Sequence, residues 1–161
     1  MGMKVLESLK DAGATYEVID CDPSFADTAE FCNHYGYSLD ESANAILLEG
    51  KAESPVYALC VVLATTRINV NKVARKRLGT RKASFASAEI TKELTGMEIG
   101  GVTPVGLPVD LPIWIDSLVM ETPKVIIGAG SRSAKIYLSP DNLLRFPNTH
   151  IVDGLSMPIV N

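Results

Sequence analysis

The stretch that most constrains this chain is GGVTPVGLP at 100–108, where five of nine residues are glycine or proline. Glycine opens backbone conformations closed to other residues, while proline fixes φ and removes a hydrogen-bond donor. The stretch lies between SAEITKELTG, which has the pattern of a helix, and LPIWID, which has that of a strand. Such a loop can be a tight crossover, with its residues chosen for turn geometry. It can equally be a backbone cradle, in which glycines let a ligand approach main-chain N–H groups and prolines hold those groups rigid. The residues by themselves leave both readings open.

The flanking pattern sets the fold class. Residues 3–12 read as a helix closed by Gly13, and TYEVID as the strand after it. Asp27 with Glu30 resembles a capping box for a helix ending near Gly36. NAILLEG and PVYALCVVLATT read as two strands separated by a turn at 50–55. Val70, Val73, Ala74 and Leu78 recur at helical spacing before Gly79, and a helix over 88–95 takes Ser87 as its N-cap and Gly96 as its stop. PIWID, KVIIGAG and KIYLS read as strands, followed by a helix with Ser139 at its cap and Pro140 in its first position. Helices and strands alternate without a strict βαβ rhythm, which predicts an α/β domain on a mixed sheet. At 161 residues, the expectation is one domain over 1–161.

Several function classes drop out. The longest apolar run, VYALCVVLA, is nine residues, short of the ~20 needed for a membrane helix. No leader-like segment opens the sequence, so a cytoplasmic protein with no membrane partner is expected. The three cysteines at 21, 32 and 60 lack paired spacing, and Cys60 reads as a core residue. His34 and His150 have no second ligand-type residue at zinc spacing, so neither a metal nor another cofactor is expected.

Charge is unevenly distributed. Residues 67–82, RINVNKVARKRLGTRK, hold Arg67, Lys72, Arg75, Lys76, Arg77, Arg81 and Lys82 and no acid. The rest of the chain keeps 8 basic against 19 acidic residues, a net of −11. A basic block in an acidic chain is a candidate polyanion footprint, although many such runs are only solvated helix faces. It contains no aromatic residues, so its contacts would be with phosphates.

Two further segments carry candidate chemistry. GAGSRS at 128–133 follows a strand but precedes another strand, so no helix N-terminus is available for a nucleotide phosphate. It reads as a hairpin turn, with a pocket-lining loop as the alternative. Asp116 ends the apolar strand IWID, either capping the SLVM turn or facing a pocket.

The run TGMEIGGVTPVGLPVDLPIWID, with GAGSRSAKIYLSPDNLL downstream, resembles the YbaK-like family. This family includes freestanding aminoacyl-tRNA deacylases and the editing domain inserted in bacterial prolyl-tRNA synthetases. The likeness extends from Thr28 to about Leu144. Its most specific part is Gly100–Gly101–Val102–Thr103–Pro104, similar to the family's GxxxP loop, and KVARKRLG followed by KASFASAEITKELTG is less specific. The resemblance implies a mixed, partly closed, barrel-like sheet with flanking helices, and hydrolysis of a small amino acid from a mischarged tRNA, with tRNA-Pro the first candidate. It implies water attack without an enzyme nucleophile or a metal. The implied catalytic group is Gly100, Gly101, Asp116 and Asn44. Val102, Thr103, Pro104, Gly106, Gly128, Gly130 and Ser131 would hold the tRNA end, while the seven cations of 67–82 would hold its backbone. The implied partners are the tRNA acceptor end and an aminoacyl-tRNA synthetase. Family members carry a lysine where this chain has Asn44, which removes a charge-assisted contact. The alternative function is therefore a family member with impaired catalysis that binds tRNA or a nucleotide.

Overall fold

A computed structural model describes residues 3–159. In chain order the helices are α1 (Met3–Asp11), α2 (Thr28–Tyr35), α3 (Arg75–Leu78), α4 (Ala88–Thr95) and α5 (Ser117–Met120). The strands are β1 (Glu17–Asp20), β2 (Ala43–Gly50), β3 (Val56–Leu63), β4 (Thr66–Ile68), β5 (Ala83–Phe85), β6 (Ile113–Asp116), β7 (Val125–Gly128), β8 (Ala134–Leu138), β9 (Thr149–Val152) and β10 (Ser156–Pro158). A π-helical turn over Val70–Ala74 leads into α3, and the segment read as a helix after Ser139 is 3₁₀ over Pro140–Arg145.

Local chemistry explains the clearest boundaries. The Ser87 hydroxyl accepts the Ile90 N–H at the start of α4, and Gly96 ends that helix at φ +74°. The capping-box reading of α2 fails: Asp27 holds the N-cap position but makes no capping bond, because its carboxylate is drawn to Arg132. GAGSRS is a hairpin turn, with β7 and β8 antiparallel on either side.

Five strands form the larger sheet in the order β5-β2-β3-β6-β9, in which β3, β6 and β9 run parallel and the other pairings are antiparallel. A second sheet has the order β1-β8-β7, and β4 pairs with β10 alone. The mixed α/β expectation holds, but the barrel-like closure does not. Among the described residues, the one backbone bridge between the sheets joins Ser42, just before β2, to Ile126 of β7. Farther along, β5 occupies that edge of β2 from Leu48 to Gly50, and the two sheets stay separate.

Side-chain alternation sorts the interior into layers. Leu47, Leu59, Val61, Ile113 and Ile115 meet Val125, Ile127, Ile136 and Leu138 in the core between the two sheets. Leu48, Ala58, Cys60, Val62 and Trp114 face outward, beneath Val70, Val73, Ala74 and Leu78 of the basic segment. Cys60 is fully buried in that outer layer, and burial pushes its thiol up to about 12. Phe31 and Cys32 of α2 cover the outer face of the smaller sheet with Ile126.

Candidate active site

Where β2 and β7 diverge past the bridge between Ser42 and Ile126, they leave a cavity of about 350 Å³, near the lower end for ligand sites. Its walls include Asn44, Ala45 and Leu47 from β2, Ile127 and Gly128 from β7, and Gly100 and Val102 from the glycine loop. Thr28 of α2 and Lys135 of β8 complete it. Phe85 and Ile99 stand at the rim, more than half exposed.

The β2 wall presents main chain toward the cavity. Leu47 O accepts the Ala86 N–H on the edge away from β3, and Lys51 N–H donates to Lys82 O on that same edge. Alternation directs the N–H and C=O of Ala45 to this same edge, beside the cavity. On the facing wall, the N–H groups of Gly100 and Val102 have no acceptor among the described residues. The glycine-loop wall thus brings two free main-chain donors to the cavity. Side-chain polarity comes from Asp27, Ser42 and Lys135 and from Asn44, whose Oδ1 accepts the Thr28 hydroxyl at 2.6 Å.

The glycine loop divides into two halves with different roles. Gly100 adopts φ +91°, and Arg132 lies where its side chain would project. Gly101 has an ordinary φ, but a Cβ there would stand 2.6 Å from Ser131 O and 2.8 Å from Ser131 N. A Cβ on Gly128 would stand 2.7 Å from Gly101 O. Glycine is needed at 101 and 128 because the loop lies directly on the β7–β8 hairpin. The Gly101 N–H donates to Glu98 O, and its carbonyl accepts the Gly130 N–H at 2.7 Å, so both polar groups are used inside the protein. The second half leaves the cavity. Thr103 is fully buried, and its hydroxyl has no partner among the described residues. Pro104 and Gly106 lie beside Ser8 of α1 and line a separate hollow.

The residues expected from sequence therefore scatter. Asn44, Gly100, Val102 and Gly128 meet at the cavity, whereas Gly101, Gly130 and Ser131 sit behind its wall. Asp116 lies elsewhere. It is 1% exposed, on the outward face of β6 with Trp114, and its carboxylate accepts the Ser156 hydroxyl. It makes no capping bond to α5 either. None of the seven cations lines the cavity. Half-buried Arg75 donates to Asn71 O and Thr80 O, and Arg77 lies 5.2 Å over the Trp114 ring while staying exposed. Arg67, Lys72, Lys76, Arg81 and Lys82 are exposed.

Two important residues were missed by sequence reasoning. Arg132 donates to Asp27 Oδ1 at 3.0 Å, to Ile99 O at 2.9 Å and to Pro23 O at 2.9 Å, clasping the hairpin to the start of α2 and to the glycine loop. Lys135 is 7% exposed, and its ammonium donates to Gly100 O at 2.6 Å. Burial pulls its pKa below the ordinary lysine range. Period-two alternation pairs Lys135 with half-buried Tyr137 on the face away from the inner core. Only the packing of α2 over that face makes position 135 an interior one.

The aminoacyl-tRNA editing domain family matches residues 22–146, spanning the cavity and its supports. The chain belongs to this family. It is 31% identical over 130 residues to the uncharacterized protein YwhH of Bacillus subtilis, covering 81% of this chain and 80% of that protein. It is 26% identical over 99 residues to the proposed Cys-tRNA(Pro)/Cys-tRNA(Cys) deacylase EbsC of Enterococcus faecalis, covering 62% of this chain and 58% of that one. Among solved structures, the hypothetical protein APE2540 superposes with TM-score 0.84 at 25% identity, over 96% of this chain and 99% of that one. A proposed trans-editing enzyme for prolyl tRNA synthetase gives 0.78 at 24% identity, over 95% and 97%. Membership suggests ester hydrolysis on charged tRNA as the activity of this fold. Among the described residues, no helix is long and apolar enough to cross a membrane.

Proposed function

We propose that the protein is a freestanding trans-editing deacylase that removes a small amino acid from a mischarged tRNA, with tRNA-Pro the first candidate. The observation that carries this reading is the cavity between β2 and the glycine loop, bordered by the unpaired N–H groups of Gly100 and Val102. Donors fixed by the fold can hold an ester and stabilise the oxygen on which charge develops, without reorganising during the reaction. Its volume of about 350 Å³ suits a ribose bearing a small acyl group better than a bulky one. EbsC, with Cys-tRNA(Pro) in its name, supports tRNA-Pro as the first choice.

The tRNA end would enter past the exposed ring of Phe85, which offers a stacking face to the terminal base. Phe85 ends β5, three residues beyond Lys82, so the free cations of 67–82 lead along the chain toward the rim. They would hold the acceptor-stem phosphates, while the cavity holds the ester.

The test is amino-acid release from a panel of mischarged tRNAs. Hydrolysis above the buffer rate at micromolar enzyme supports the reading. Salt-sensitive tRNA binding without release identifies the binding-module alternative suggested by Asn44.

A further inference from the structure

Lys135 stands out among the buried groups because its charge is incompletely partnered. An ammonium has three N–H donors and normally enters a protein interior paired with a carboxylate or fully hydrogen-bonded. Here one donor goes to Gly100 O at 2.6 Å, and no carboxylate among the described residues lies within ion-pair distance. The Phe31 ring, 5.8 Å away, supplies a weak further contact. The surrounding ionisable groups are Cys21 after β1, Cys32 on α2, Asp27 before α2 and Arg132 on the hairpin turn. Asp27 is engaged by Arg132, so this buried cation is left facing a ligand cavity with spare donors.

The cavity chemistry narrows what the spare donors receive. A cationic α-amino group would be repelled. Phosphates have exposed lysines and arginines available outside the cavity, where less desolvation is required. A carbonyl oxygen that gains charge during reaction fits a buried, incompletely bonded ammonium, because the interaction strengthens as the charge forms. The bond to Gly100 O fixes Lys135 on the glycine-loop wall, next to the unpaired N–H of that same residue.

On the deacylase reading above, we infer that Lys135 is a catalytic residue whose ammonium receives the ester carbonyl oxygen and holds its negative charge in the transition state. Water adds to the carbonyl carbon, and the electron pair of the C=O bond moves onto the oxygen facing Lys135. Collapse of this intermediate breaks the bond to the ribose oxygen. That oxygen leaves with a proton derived from the attacking water, and the released acid ionises. Lys135 stays protonated throughout. Its placement supplies a cation to the cavity from β8, whereas family members carry a lysine at the β2 position held here by Asn44.

The experiment is single-turnover release of amino acid from a mischarged tRNA, using the whole chain as wild type, Lys135→Met and Lys135→Arg. Affinity for the uncharged tRNA and thermal stability are measured alongside. Lys135→Met is expected to lose about 10²–10³-fold in the chemical step with tRNA affinity unchanged, and Lys135→Arg to recover part of that loss. The wild-type excess over buffer hydrolysis should fall on the alkaline side, below the ordinary lysine range, as the ammonium loses its proton, while the arginine variant should keep its excess there. If Lys135→Met fails to fold, this comparison of pH profiles still decides the assignment. A folded Lys135→Met variant within about threefold of the wild-type rate, or identical alkaline profiles for wild type and Lys135→Arg, overturns it. A wild type that hydrolyses no tRNA overturns the deacylase reading and this assignment with it, whereas equal activity of wild type and Lys135→Met overturns the assignment alone.

Discussion

Replacing Gly101 with alanine tests whether the glycine loop depends on contact with the hairpin. The backbone φ at 101 is ordinary, so alanine costs little in conformation. Its Cβ, however, would lie 2.6 Å from Ser131 O, where ordinary contact begins at 3.4 Å. The neighbouring atoms belong to backbone and cannot rotate aside, so loop and hairpin must separate by about 0.8 Å. That movement stretches the Gly130 N–H to Gly101 O bond, now 2.7 Å, out of useful range. Forcing atoms into a packed interior costs about 1–3 kcal/mol, and a lost hydrogen bond about 1 kcal/mol. The expected destabilisation is therefore about 2–4 kcal/mol, a drop of roughly 4–16 °C in Tm for a chain of this size. Urea unfolding of Gly101→Ala beside Gly13→Ala measures it. Gly13 is left-handed with nothing within 4 Å of its added Cβ, so its variant should lose only about 1–2 kcal/mol. A Gly101→Ala protein within about 0.5 kcal/mol of wild type would refute the packing argument.

Ser156→Ala leaves the buried Asp116 carboxylate without its hydroxyl donor and should cost about 1–3 kcal/mol in denaturant unfolding. Its deacylation rate per folded molecule should be unchanged, because Asp116 lies away from the cavity; a catalytic defect would contradict that placement. Phe85→Ala, at an exposed site, should fold normally and weaken tRNA-end binding by about 1–3 kcal/mol, as read by equilibrium titration. Charge reversal at Lys72, Lys76 and Arg81 should weaken tRNA binding and flatten its salt dependence; an unchanged slope would make the segment only a solvated face. The Glu49 carboxyl is held below its ordinary value by bonds from Lys51 and Tyr57. Its stabilisation is present above the ordinary glutamate value and lost as pH falls through the depressed one. The stability difference between wild type and Glu49→Gln should therefore shrink on acidification, and a constant difference would exclude this linkage.

Local signals in the sequence carry much of the fold. Ser87 and Gly96 mark α4 by capping chemistry, and the apolar runs mark β2, β3 and β6. Short pieces such as β4 and β5, three residues each, have too few positions for a periodic pattern and are defined by their partners. Asn44, Gly100, Val102 and Gly128 could be singled out from motif and resemblance, since glycine and polar exceptions stand out within apolar segments. Asp116 looked functional for the same reason, but the outward face of β6 carries it to Ser156. Lys135 was hidden because a lysine at the start of a strand ordinarily faces water. Its burial depends on α2, more than a hundred positions earlier in the chain.

The most direct measurement is the rate at which the purified wild-type chain releases amino acid from mischarged tRNA-Pro, read against buffer alone and against correctly charged tRNA. The structure of the cavity predicts catalysed release of a small amino acid from the mischarged tRNA, at a rate that scales with enzyme concentration. Release at the buffer rate across the whole panel, from a folded protein that binds tRNA, would contradict it.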